Sequence, residues 1–345
     1  MVNGGSQCWG SNTYGALGDN SNTSSLVPVK SSGLSKLMKI ASGLNHTCAI
    51  EDGAAKCWGS NSIGQLGDNT VTSSLVAVTV LGITNGSLDI AAGADHSCVL
   101  QGGAVKCWGE NNYGQLGDNT TTSSARPVVA SGLATGVRAI AVGYQHTCAI
   151  RNGFVYCWGR NENGNLGVND TSNKSVPVIV SGITAGAQSI RAGHYHTCAI
   201  VNGGALCWGR NLSGELGANL PADSPTAHPY PNGVSGTIGD VQALAMGSSH
   251  TCALVAGAVK CWGSNARGQL GINVTAGTGD AVVPQAVSGL SSGAHGLFPT
   301  FGETNCSFYR GDVRCWGANG NGQLGNNNPD GVDSIYPVPV FTFKP

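Results

Sequence analysis

Eleven residues recur seven times in this chain. The pattern is Cys-Trp-Gly-x-Asn-x-x-Gly-x-Leu-Gly, and its copies start at Cys8, Cys57, Cys107, Cys157, Cys207, Cys261 and Cys315. Successive copies lie 49, 50, 50, 50, 54 and 54 residues apart, and all seven Trp residues sit inside them. A period near 50 residues marks a repeat array and overrides the roughly two or three domains that length alone would suggest. Each repeat then acts as one unit that buries its apolar surface against its neighbours.

The punctuation inside a repeat predicts four short strands. In the second repeat, Lys39-Ile40-Ala41-Ser42-Gly43 reads as a strand, followed by His46-Thr47-Cys48-Ala49-Ile50 and the returning Ala55-Lys56-Cys57-Trp58. Asp52-Gly53 separates the last two. Asp-Gly between apolar runs signals a type I′ hairpin, which needs positive φ at both central residues. Its equivalents are Gly102-Gly103, Asn152-Gly153, Asn202-Gly203, Ala256-Gly257 and Arg310-Gly311. A second Asn follows two residues after the last Gly of every motif, from Asn20 and Asn69 to Asn327, in turn-forming company. A polar stretch then leads to segments such as Val27-Pro28-Val29 and Val176-Pro177-Val178. Proline cannot donate to a ladder, so this fourth strand belongs at a sheet edge. Four-stranded antiparallel units repeated about seven times predict an all-β chain, closed as a seven-bladed β-propeller with about 50 residues per repeat.

The function classes excluded by composition are few but clear. A net charge of −1 lacks the basic excess of a nucleic-acid-binding chain. No basic stretch followed by an apolar run opens the sequence, and no apolar segment approaches the roughly 20 residues that span a bilayer, so no membrane insertion is expected. Val2-Asn3-Gly4-Gly5 matches Val201-Asn202-Gly203-Gly204, so Met1 opens in mid-repeat. Residues 1–345 therefore read as one propeller domain excised from a longer polypeptide.

The pattern Gly-x-x-His-[Thr/Ser]-Cys-x-x-x-x-Gly-x-x-x-Cys-Trp-Gly-x-Asn-x-x-Gly-Gln-Leu-Gly is written from Gly93 to Gly117, and recurs in variant form around His46, His146, His196 and His250. It resembles the regulator of chromosome condensation (RCC1-type) repeat family, in a bacterial-style, disulfide-rich variant, and the resemblance covers essentially the whole chain. The family implies a seven-bladed propeller. Two features depart from its commonest form. Cys stands where intracellular members usually carry other small or aromatic residues, and the seventh repeat (Thr300 to Cys306) has lost both the His and the regular spacing.

Twelve of the 13 Cys fall into six pairs nine residues apart: Cys48-Cys57, Cys98-Cys107, Cys148-Cys157, Cys198-Cys207, Cys252-Cys261 and Cys306-Cys315. Counting outward from a two-residue turn at Asp52-Gly53 places residues 48 and 57 opposite each other at a non-hydrogen-bonded position. There the Cα atoms approach to roughly 4.5 Å, close enough for a disulfide. Structural zinc is the rival reading, but it favours Cys two to four residues apart on one segment. Six intra-blade disulfides are therefore predicted, with Cys8 unpaired. They imply an oxidising location: extracellular, cell-surface or periplasmic.

No motif carries catalysis. There is no nucleophile elbow, no Walker loop and no carboxylate pair that stands apart from the repeat, so the chain reads as a non-enzyme with no cofactor and no metal. A ring of His46, His96, His146, His196 and His250 could bind a metal, although a repeated structural role accounts for it more simply. Asp19-Asn20, Asp68-Asn69 and Asp118-Asn119 follow no calcium-loop spacing and read as turn caps. Binding is better sought where the repeats differ. The residues on the rim carrying the Gly-x-Asn-x-x loops include Tyr113, Tyr144, Arg160, His194, Tyr195, Arg210 and Leu212, together with Gln145, Glu162 and Arg267. Tyr and Arg are enriched in interaction hot spots. The insertion Pro221 to Pro231 is a second irregularity, read as a lengthened connection or a recognition loop. The favoured function is a non-catalytic extracellular module that binds a protein partner through one rim. The alternative is a carbohydrate-binding propeller, with Tyr rings stacking on sugars. Guanine-nucleotide exchange on a small GTPase, implied by the resemblance, is disfavoured by the disulfides and by the absence of a basic tail.

Overall fold

The computed structural model describes residues 5–220, 228–236, 239–298 and 301–341, in which the regular structure is all strand. β1 (Gln7–Gly10) and β2 (Ser25–Lys30) form a two-stranded sheet. β3 (Leu37–Ser42), β4 (His46–Glu51), β5 (Ala54–Gly59) and β6 (Ser74–Thr79) form a four-stranded antiparallel sheet in sequence order. Five further sheets with the same meander span residues 87–129, 137–179, 187–233, 241–286 and 294–339. The first strands of successive sheets touch one another, so they surround the axis of a β-propeller and the fourth strands lie outermost. Proline occupies five of the six outer strands of the full blades, for example Pro127 and Pro177, where a missing N–H leaves no ladder partner wanting.

The expectation of seven four-stranded blades is corrected to six among the described residues. The first motif copy, at Cys8, contributes only the β1–β2 pair, wedged between the last and first full blades. On one side Trp9 Nε1 donates to Gln323 O at 2.8 Å. On the other, Ala16 O accepts from Trp58 Nε1 at 2.9 Å and from Thr47 Oγ1 at 2.8 Å. In each full blade two strands precede the Cys-Trp-Gly strand, whereas among the described residues no strand precedes β1, so the β1–β2 pair stands as an incomplete blade.

Local rules behave as the residues demand. Asp52 and Gly53 have φ of 50° and 81°, and even Ala256 and Arg310 take the positive φ that their type I′ turns require. Each Cys pair faces across its hairpin in the predicted register, and all six disulfides are present with Cα separations of 4.0–4.1 Å. Cys8 is the free thiol among the described residues. It sits beside Ser31 Oγ at 3.5 Å, and burial raises its pKa.

The seams between blades repeat one set of contacts. Trp58, Trp108, Trp158, Trp208, Trp262 and Trp316 are all fully buried, each against a glycine of the preceding repeat's loop. At Gly117, for example, an added Cβ would lie 2.6 Å from Trp158 Nε1. Trp158 Nε1 and Thr147 Oγ1 both donate to Gln115 O, at 2.9 Å each. The threonine hydroxyl has thus committed its proton, so it accepts from His96 Nε2–H at 2.9 Å. The same step joins His46 to Ser97, His146 to Thr197 and His196 to Thr251. His250 reaches Asn305 Oδ1 at 3.0 Å, while Asn305 Nδ2 donates to Gln269 O. The histidines are therefore ties from each blade to the next rather than a converging ring. Burial keeps them neutral, lowering His46 to about 4 and His96 and His146 to about 3.

Candidate functional site

Two loops of each repeat meet at one end of the propeller. The short connection between the first and second strands is bonded to the loop after Cys-Trp-Gly. Arg160 N donates to Gln145 O at 2.8 Å, Arg210 N to Tyr195 O at 2.9 Å and Glu110 N to Asp95 O at 2.8 Å. The hairpins lie at the opposite end, where Ser87 N bonds Gly53 O. The short connections are also linked around the axis, through Ala94 N to Tyr144 O at 3.2 Å and Tyr144 N to His194 O at 3.4 Å.

The outer part of the loop is held by its own asparagine. Asn111 Oδ1 accepts from Leu116 N at 2.9 Å, and its amide donates to Asp118 Oδ1 and to the Thr120 and Thr122 carbonyls. Asp118 also accepts from Thr120 N and Oγ1. The Asp-Asn pairs are accordingly turn caps. Asn69, Asn119 and their equivalents take φ near 65°, the left-handed conformation that asparagine tolerates.

With this scaffold fixed, the variable side chains gather at the mouth of the axis. Tyr144 packs against His194 with ring centroids 5.0 Å apart and against Tyr195 at 5.6 Å. The Arg160 guanidinium lies between Tyr113, 4.9 Å from its centroid, and Tyr195, 5.6 Å away. Arg210 covers Tyr195 at 5.1 Å. Six of the seven predicted binding residues thus form one half-buried cluster. Leu212 lies in the same rim loops, is 49% exposed and takes no part in these ring contacts. Of the insertion, residues 221–227 lie outside the described residues, and its remainder opens an outer strand, His228–Gly233.

The cluster also holds residues that sequence reasoning missed. Phe301, from the sixth full blade, reaches the third and fourth, with its ring 6.2 Å from Tyr144 and 4.9 Å from His194. Its carbonyl bonds His194 Nε2 at 2.9 Å. The signal was the broken spacing at Thr300 to Cys306, legible as an irregularity but not as a contact 107 residues away. Carboxylates complete the mouth. Arg160 pairs with Glu162 at 2.5 Å, and Arg210 with the fully buried Glu215 at 2.9 Å. Arg210 is therefore partly a structural anchor. Glu110 accepts from Asn112, Gln115 and Gln145, Asp95 from Gln65, and Glu303 from Ser248 and Gln269. Those three acids have only neutral donors among the described residues. Burial and the nearby Glu110 raise the Asp95 pKa.

Residues 8–50, 103–150, 152–200 and 202–254 match the regulator of chromosome condensation (RCC1) repeat, and a second pattern of the same repeat matches 88–115, 137–165 and 241–269. The chain belongs to the RCC1 repeat family. Solved structures agree on the fold. Prp20p from Saccharomyces cerevisiae, whose binding to Gsp1p and histones was studied with its structure, superposes with a TM-score of 0.86 at 19% identity, over 99% of this chain and 87% of that one. Human WBSCR16 gives 0.85 at 22% identity, over 98% and 94%. The ectodomain of the Physcomitrella patens receptor kinase CR4 gives 0.53 at 22% identity, over 91% and 74%. Curated protein sequences yield no match.

Proposed function

We propose that this RCC1-repeat propeller is a non-catalytic module that binds a protein partner through the loop rim around Tyr144 and Tyr195, as part of a secreted or surface-exposed polypeptide. One observation carries the reading. The residues that vary between repeats come together as a half-buried cluster of Tyr, Arg, His and Phe, and Tyr and Arg are enriched in interface hot spots. Six disulfides support an oxidising, non-cytosolic setting. The receptor-kinase ectodomain is a same-fold protein with that exposure, and Prp20p a same-fold protein studied for protein binding.

The test is proximity labelling in the source organism with the native chain and a Tyr144→Ala/Tyr195→Ala variant. The expected outcome is a set of labelled proteins that the variant loses while keeping its melting temperature. An unchanged set would exclude this rim. Sugar-specific binding on a glycan array, abolished by the same substitutions, would favour the carbohydrate-binding alternative. Accelerated nucleotide release from a small GTPase would favour exchange activity.

A further inference from the structure

The charge of this molecule is unevenly placed. The two sets of loops that form the mouth rim carry twelve Asp or Glu and three Arg among the described residues. The whole chain has a net charge of −1, so its remaining residues hold a compensating excess of Lys and Arg. The three rim arginines are already engaged, Arg160 with Glu162, Arg210 with Glu215 and Arg267 with Asp333. Carboxylates that outnumber their cations on one face create a negative potential reaching about a Debye length into solvent, roughly 8 Å at physiological salt.

The centre of that face is aromatic. Ala94 N bonds Tyr144 O, which places the adjoining Asp95 beside Tyr144. Glu110 N bonds Asp95 O at 2.8 Å, and the neighbouring Gln145 amide bonds both oxygens of Glu110 at 3.2 Å, which places Glu110 next to Asp95 on the same side. Burial, the Tyr195 hydroxyl and these two carboxylates all raise the Tyr144 pKa. A ring face beside a pair of carboxylates attracts a cation by its quadrupole and by the direct charge of the pair.

Resting on the rim interface set out above, we propose that the partner's contacting surface is cationic, with a Lys or Arg side chain seated on Tyr144 beside the Asp95–Glu110 pair. A cation there would supply what Gln65, Gln115 and Gln145 lack, a full opposite charge. Anionic partners, nucleic acid and acidic glycans included, are repelled. The surrounding carboxylates steer a basic segment toward the mouth, so association is fast at low salt and slows as ionic strength rises.

Isothermal titration with hexalysine and hexaglutamate, at low and at physiological salt, tests this directly. Hexalysine should bind the native chain and hexaglutamate should not. An Asp95→Asn/Glu110→Gln variant, with its fold checked by circular dichroism, should bind hexalysine at least tenfold more weakly. Lys36→Gln, on the opposite end, should bind as the native chain does. Equal affinity for both peptides, no hexalysine binding at millimolar concentration, or an unweakened double variant would overturn the proposal. If these fail while Tyr144→Ala/Tyr195→Ala still loses its labelled proteins, the rim stands and only its chemical preference falls.

Discussion

The seams between blades and the mouth of the axis are neighbours, yet they use residues in opposite ways. At the seams the first five full blades say the same thing: a buried Trp against glycine, a His passing a hydrogen bond to the next blade, a disulfide closing the hairpin. At the mouth the repeats disagree. The position two residues before the seam His is Leu44, Ala94, Tyr144, His194 and Ser248 in turn. Sameness is enforced where each blade must fit the next, because a packed interior tolerates little change in volume. Freedom survives where side chains meet solvent, and there one array can become specific for one partner.

The largest test of that contrast is acid. The seam histidines are neutral in the fold, with pKa values of about 4 for His46 and about 3 for His96 and His146. In an unfolded chain they would titrate near 6.5. Their contribution is therefore complete above about pH 6.5 and is lost as pH falls toward the folded values, by about 1.4 kcal/mol per histidine per pH unit. Urea midpoints should fall steeply from pH 7 to pH 4. A flat profile would mean that the histidines are not buried ties.

Next comes Trp158→Ala. It removes a fully buried ring from one seam and should cost about 3–5 kcal/mol by denaturant unfolding. A cost under about 1 kcal/mol would show that the seam repacks freely and would blur the contrast. A Cys148→Ala/Cys157→Ala variant should lose up to about 2.5–3 kcal/mol, the chain-entropy value for a ten-residue loop. The gain is tempered because the hairpin is already local. Intact mass should place the native chain about 12 Da below its fully reduced form. Smallest in stability is Tyr195→Ala at the mouth. It should shift unfolding by no more than about 1 kcal/mol, as for a partly exposed site, while abolishing partner labelling. A large destabilisation there would make the mouth a structural element like the seams.

Legibility followed the same line. The hairpins, the six disulfides and the outer Pro strands follow from short-range rules about φ, register and missing donors, and the sequence alone predicts them. The variable residues were recognisable as candidates because the repeat supplied its own control. The company they keep was not. Phe301 meets Tyr144 and His194 only because the ring brings the sixth full blade round to the third and fourth. Arg210 looked like a free binding cation, but its partner Glu215 is fully buried.

What the sequence by itself determined is the repeating unit. Period, turn residues and Cys spacing specify a blade through contacts a few residues long, and such contacts can be read along the chain. Only the tertiary structure decided how many complete blades there are and what the mouth contains. Six strand quartets and the β1–β2 wedge close on one another through Trp9 and Gln323, 314 residues apart. The charge of the rim is likewise a product of closure. Acids scattered singly along the chain become one negative face when every repeat turns its loops to the same end.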